Sequence, residues 1–221
     1  FSVLVDQGRS ALHYAFLGRW GKSRNESIEL VSYLLESGSD VSRKDMFDST
    51  PLHYVASAWG PDNIKMLLHH GADPDIQNQL NETALHAAVH PNNIYWNKEA
   101  EDVALALIDG GADANVAGQY ENTPLHYAVK SNMHRVIRAL VEHGASLEAA
   151  DTFFGGMPIH VAAIDLGPRP VHSGAGWSPT IRTSPETLAM LSLLVELGSD
   201  VDAQLHEGSQ TPLHNACFYE N

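Results

Sequence analysis

Hydrophobic positions along this chain alternate between two kinds of short run, separated by polar turn-forming stretches. One kind carries paired apolar residues and ends in glycine: "YLLESG" at Gly38, "MLLHHG" at Gly71, "ALIDGG" at Gly111, "ALVEHG" at Gly144 and "LLVELG" at Gly198. The other is a small box ending in histidine: Ser10-Ala11-Leu12-His13, Thr50-Pro51-Leu52-His53, Thr83-Ala84-Leu85-His86, Thr123-Pro124-Leu125-His126, Met157-Pro158-Ile159-His160 and Thr211-Pro212-Leu213-His214. Thr followed by Pro predicts a helix start, with the hydroxyl capping free N–H groups and proline accepted in the first turn. Small residues two places after each histidine (Ala15, Val55, Ala88, Ala128, Ala162, Ala216) would let a neighbouring helix approach closely. The apolar pairs Leu34-Leu35, Leu67-Leu68, Leu107-Ile108, Leu140-Val141 and Leu194-Val195 predict a second helix, which the glycine ends in a left-handed C-cap. Stretches such as "ADPDIQNQLNE" have turn formers without a helical stripe and predict an extended loop.

The box histidines are spaced 40, 33, 40, 34 and 54 residues apart. From each glycine to the next histidine the distance is 15, 15, 15, 16 and 16. From histidine to glycine it is 18 twice, 25 twice and 38 once. The constant unit is therefore 18 plus 15, or 33 residues, with insertions of 7, 7 and 20 at one internal place. They fall near 18–25, 91–99 and 167–186, and each contains a tryptophan: Trp20, Trp96 and Trp177. A single helix pair cannot bury its own apolar face, whereas stacked pairs can.

The period and the T-P-L-H-x-A box resemble the ankyrin repeat family. Thr123-Pro124-Leu125-His126-Tyr127-Ala128 matches that box at every fixed position, and Gly71-Ala72-Asp73 and Gly111-Ala112-Asp113 repeat after the second helix. The resemblance covers nearly the whole chain. It implies an all-α fold, an ankyrin-repeat solenoid of stacked antiparallel helix pairs with protruding hairpin-like loops. Residues 1–221 are expected to form one domain, with repeats near 9–41, 49–74, 82–114, 122–147 and 156–201 and a partial repeat at 210–221. "VDQGRS" corresponds to a loop following an earlier helix pair, and "NACFYEN" ends inside a first helix, so the chain is expected to be a segment of a longer protein.

Composition narrows the function. The 221 residues are 43% hydrophobic and include no run of eighteen apolar residues, so no spanning helix and no membrane insertion are expected. The opening "FSVLVDQGRS" lacks the charge and apolar run of a signal peptide. Cys217 is the single cysteine, which fits a reducing, intracellular setting, cytoplasmic or nuclear. A formal net charge of −14 repels phosphate backbones, so no nucleic acid is expected and a basic or apolar protein or peptide is the better partner.

Catalysis requires residues that converge. His13, His53, His86, His126, His160 and His214 recur once per repeat, spread along a rod, and the resemblance implies that they bridge loop and helix by hydrogen bonds. The remaining histidines are His69, His70, His90, His134, His143, His172 and His206. No H-E-x-x-H, paired C-x-x-C or phosphate loop is present; "GPRPVHSGAGWS" has no preceding strand and no GK[ST]. No catalytic residue, cofactor or metal site is expected.

Recognition has more support. The resemblance implies that the residue after the box histidine, and the one three further on, face a concave groove. These columns include Tyr14, Tyr54, Tyr127 and His90, with Trp59 nearby. Nine residues past each glycine, the loop tips read Phe47, Leu80, Tyr120, Phe153 and Glu207. Tyrosine and tryptophan anchor interfaces by joining apolar area to a polar tip. The expected function is a non-catalytic scaffold that recognises a protein or peptide through its groove and loop tips. The alternative is an enzyme or small-molecule-binding solenoid with a pocket formed by the groove and the 167–186 insert, lined by Trp177, His172 or His90.

Overall fold

A computed structural model describes residues 7–17, 24–58, 60–91, 100–152, 156–163, 185–204 and 211. These residues are helical and looped, with no strand among them. They divide into two compact units, residues 1–119 and 120–221.

The first unit holds α1 (Ala11–Phe16), α2 (Arg24–Glu36), α3 (Pro51–Ala58), α4 (Pro61–His69), α5 (Ala84–Val89) and α6 (Ala100–Asp109). Each odd-numbered helix pairs with the next, and α1, α3 and α5 pack in succession. The second unit holds α7 (Pro124–Lys130), α8 (His134–Glu142), α9 (Pro158–Ala163) and α10 (Pro185–Glu196), again as two pairs with α7 against α9. The third box residue, Leu12, Leu52, Leu85, Leu125 or Ile159, is buried in every described repeat. Burying each such side chain contributes about 1.5–3 kcal/mol, which a helix of six to eight residues cannot supply alone.

The second helices end alike. Gly38, Gly71, Gly111, Gly144 and Gly198 all have φ between 80° and 104°, the left-handed region that favours glycine. The residue after each glycine donates its N–H back to the first carbonyl of the apolar pair: Ser39 to Leu34, Ala72 to Leu67, Ala112 to Leu107, Ala145 to Leu140 and Ser199 to Leu194, at 2.9–3.1 Å. The glycine N–H bonds the second carbonyl, completing a Schellman end that satisfies carbonyls the helix leaves open. Helix α2 begins at Arg24 and α10 at Pro185, at the ends of the stretches near 18–25 and 167–186.

The first helices α1, α5 and α7 start on a hydroxyl that serves two groups. The box hydroxyl makes its short contact with the histidine ring: Ser10 to His13 Nδ1 at 2.8 Å, and Thr50, Thr83 and Thr123 to theirs at 2.9 Å. At Thr83 the hydroxyl also accepts from the His86 N–H, at a long 3.5 Å. The hydroxyl thus serves both groups, contacting the imidazole and facing the N–H of the third helical residue at Ser10, Thr83 and Thr123.

Candidate functional site

Two loops between repeats in the first unit project fingers of one design. In residues 45–49 the Asp45 N–H donates to the Ser49 carbonyl at 3.0 Å, and the Asp48 N–H to the Asp45 carbonyl at 3.0 Å. In residues 78–82 Asn78 and Asn81 make the same pair of bonds, to Glu82 and Asn78, both at 2.9 Å. Asp45 Oδ1 accepts the N–H groups of Phe47 and Ser49 at 2.9 and 3.0 Å. Asn78 Oδ1 accepts those of Leu80 and Glu82 at 2.8 and 3.1 Å. Asp48 and Asn81 take positive φ, which Asp and Asn adopt more readily than other non-glycine residues. The pattern Asp/Asn-x-x-Asp/Asn thus builds a closed turn whose third residue points outward.

The two fingers are also bonded to each other. The Gln79 N–H donates to the Phe47 carbonyl at 3.0 Å and its side chain to the Met46 carbonyl at 2.8 Å. Phe47 at 43% exposure and Leu80 at 49% are therefore apolar tips on a braced frame, with Met46 exposed beside them. In the second unit Tyr120 is 52% exposed and sits at φ 60°, a strained conformation for an aromatic residue, while its carbonyl accepts the Thr152 N–H at 2.8 Å. Phe153 and Glu207 lie outside the described residues.

The finger of residues 45–49 has a charged base. The Tyr54 hydroxyl donates to Asp45 Oδ2 at 2.6 Å and accepts from Arg9 Nε at 3.1 Å. Arg9 lies 3.8 Å from the same oxygen and over the Tyr54 ring, 5.5 Å from its centroid. The ring also meets His13 edge-on at 5.3 Å. Burial, and then the hydrogen bond to the Asp45 carboxylate, push the Tyr54 phenol above its ordinary value, so it stays a neutral donor. The polar end of Tyr54 is engaged within the chain, and only part of its ring faces out.

The box histidines lock the fingers to the preceding helix. His13 Nε2 lies 3.0 Å from the Ser49 carbonyl and His53 Nε2 3.0 Å from that of Glu82, the residues that close the two fingers. In the second unit His126 Nε2 reaches the Gly156 carbonyl at 3.1 Å and His160 Nε2 that of Ala203 at 3.2 Å. A carbonyl only accepts, so Nε2 carries the proton, and at His13, His53 and His126 Nδ1 is the bare acceptor for the box hydroxyl and N–H. His86 Nδ1 takes the same two donors from Thr83. Burial pushes His13, His53 and His126 below the usual histidine value, against the carbonyl bonds and, at His126, the Asp151 carboxylate that raise it. The rings of His13, His53 and His126 are neutral, sequestered and occupied on both nitrogens. His214 lies outside the described residues.

The groove column is uneven. Tyr14 is exposed on α1, and Tyr54 is half-buried at the finger base. Tyr127 departs from the expected exposure: at 8% it is part of the core. His90 stands at the end of α5 with extended backbone ahead of Pro91, because a residue before proline is driven from the helical region. It has left the helix face the column assumes. Trp59, Trp177 and His172 lie outside the described residues, as does most of the 167–186 insert. Among the described residues, no group of three or more His, Cys, Asp or Glu side chains could hold a metal ion. None of their helices is long and apolar enough to cross a membrane.

The paired Asx positions, Asp45 with Asp48 and Asn78 with Asn81, are not among the expected site residues. Their sequence signal is the repeated "DMFD" and "NQLN" eight residues before the box histidine.

Comparison with known proteins agrees with this architecture. A family model described as ankyrin repeats (3 copies) matches residues 20–95, 52–151 and 94–167, together well over half of the chain. Protein fem-1 homolog C of Danio rerio is 39% identical over 83 residues, covering 35% of this chain and 13% of that protein. E3 ubiquitin-protein ligase hecd-1 of Caenorhabditis elegans is 45% identical over 62 residues, covering 28% of this chain and 2% of that one. Putative ankyrin repeat protein FPV223 of Fowlpox virus is 36% identical over 87 residues, covering 39% of this chain and 55% of its own length. The chain thus spans only a small part of the first two relatives. With glycine-capped helix pairs, imidazole-locked fingers and a family match from residue 20 to 167, this chain belongs to the ankyrin-repeat family.

Proposed function

We propose that this chain is a non-catalytic recognition module that binds a protein or peptide partner through its finger tips and the adjoining first-helix face. Ankyrin repeats are generally protein-interaction modules. The observation that supports the reading here is the pair Phe47 and Leu80, large apolar side chains held in solvent on turns braced by Asp45, Asn78 and Gln79. A frame fixed before binding lowers the ordering cost of association. The net charge of −14 favours a partner that mixes apolar with basic side chains, in an intracellular compartment where the single Cys217 stays reduced. Similarity to hecd-1 covers 2% of that ligase, so ubiquitin-ligase activity is not carried over.

The test is photo-crosslinking in cell extract. The variant Leu80→p-benzoylphenylalanine is expected to give a discrete adduct that the matched Tyr33→p-benzoylphenylalanine on α2, also exposed, does not. Equal labelling from both positions, or none from position 80, overturns the placement.

A further inference from the structure

The second unit contains a cleft of about 200 Å³ on the loop side of α9. Its floor is Met157 and Ile159, two residues of the one box among those described whose first position is neither serine nor threonine. Leu147 and Glu148, from the loop after Gly144, form one wall. Asp200 and Gln204, from the loop after Gly198, form the other, and the His160 bond to the Ala203 carbonyl ties that wall to the floor.

Two features decide what fits. Among the described lining residues the apolar part is aliphatic and thioether, Glu148 and Asp200 supply carboxylates, and there is no lysine or arginine. Asp200 Oδ1 accepts the Asp202 N–H at 2.9 Å, which leaves Oδ2 for an incoming group. The Glu148 carboxylate has no hydrogen-bond or ion-pair partner among the described residues. An apolar floor beneath unneutralised acids matches a side chain with a methylene stem and a cationic end.

We propose that this cleft receives one cationic side chain, arginine or lysine, of the polypeptide partner, its stem on Met157 and Ile159 and its head between Glu148 and Asp200. The inference rests on the reading of the chain as a polypeptide-binding module, and it gives the charged part of that partner a defined seat.

Its test needs no identified partner. The 221-residue chain, labelled with ¹⁵N, is titrated with Nα-acetylarginine amide, Nα-acetyllysine amide, Nα-acetylcitrulline amide or Nα-acetylnorleucine amide. Saturating amide shifts at Ile159, Ala203 and Gln204 are expected with at least one cationic probe, at least about fivefold weaker with citrulline and norleucine, the scale of solvent-open charge contacts. The double variant Glu148→Gln, Asp200→Asn should abolish them. Asparagine retains the oxygen that accepts from Asp202, and an unchanged amide spectrum elsewhere verifies the fold. Equal shifts with citrulline or norleucine, shifts spread evenly over the surface, or the same shifts with magnesium chloride alone would overturn the proposal. So would shifts unchanged in the double variant, or none with either cation. A flat titration leaves crosslinking at Leu80 standing, and lost crosslinking leaves a positive titration standing, so the two readings fail separately.

Discussion

The fingers of residues 45–49 and 78–82 are built on one frame and differ at the base. Both close a turn with an Asp or Asn oxygen that accepts two N–H groups, both place an Asp or Asn at positive φ, and both present a large apolar tip. Asp45 has a second carboxylate oxygen that holds Tyr54 and faces Arg9, whereas Ala87 stands where a partner equivalent to Tyr54 would be. The repeat supplies the frame, and this chain adds the charged base at one finger only. The tip is therefore separable from what braces it, and binding should be separable from stability.

Removing the shared frame where it also carries the base should cost most. Asp45→Ala takes the acceptor from two N–H groups and the Tyr54 hydroxyl, and should lower the unfolding free energy in urea by about 3 kcal/mol. Asn78→Ala removes the frame alone, in a more exposed finger, and about 1–2 kcal/mol is expected. Equal losses at the two positions would erase the distinction between them. Asp45→Asn keeps Oδ1 for the turn but replaces the oxygen that accepts from Tyr54 with an NH2 donor, so about 1 kcal/mol is expected, with Tyr54→Phe similar. If the double variant Asp45→Asn, Tyr54→Phe loses no more than either single change, both act on one contact.

Acid should loosen what the two fingers share. His13 and His53 bond the closing residue of each finger, and burial holds both folded values below the ordinary 6.5. As pH falls below that value the unfolded chain takes up protons that the folded rings refuse, so the stabilisation present above it is lost on acidification. Thermal unfolding at pH 7.5 and pH 5.5 should show the lower midpoint in acid. A midpoint that holds or rises would mean the rings accept protons in place.

Much of the fold was readable from spacing, because glycine caps and box histidines do local jobs that recur every unit. Gly38 and Gly198 end helices by the same bond although their repeats differ in length by 13 residues. What spacing could not show was depth and direction. Tyr54 and Tyr127 occupy one column, yet Tyr127 is buried and Tyr54 is half-covered by a charge cluster assembled from residues 45 positions apart. Those differences come from neighbouring side chains that the repeat leaves free. Nor could it show which way a threonine hydroxyl donates, since capping and imidazole contact place the same residue at the same position.

The most direct measurement is the affinity of the crosslinked partner for the native chain and for the double variant Phe47→Ser, Leu80→Ser, at matched folded fraction. The two side chains are exposed, so the unfolding free energy should move by no more than about 0.5 kcal/mol. Binding should weaken at least about tenfold, the loss of roughly 1.4 kcal/mol of contact. Unchanged affinity with unchanged stability would contradict the assignment of recognition to the finger tips.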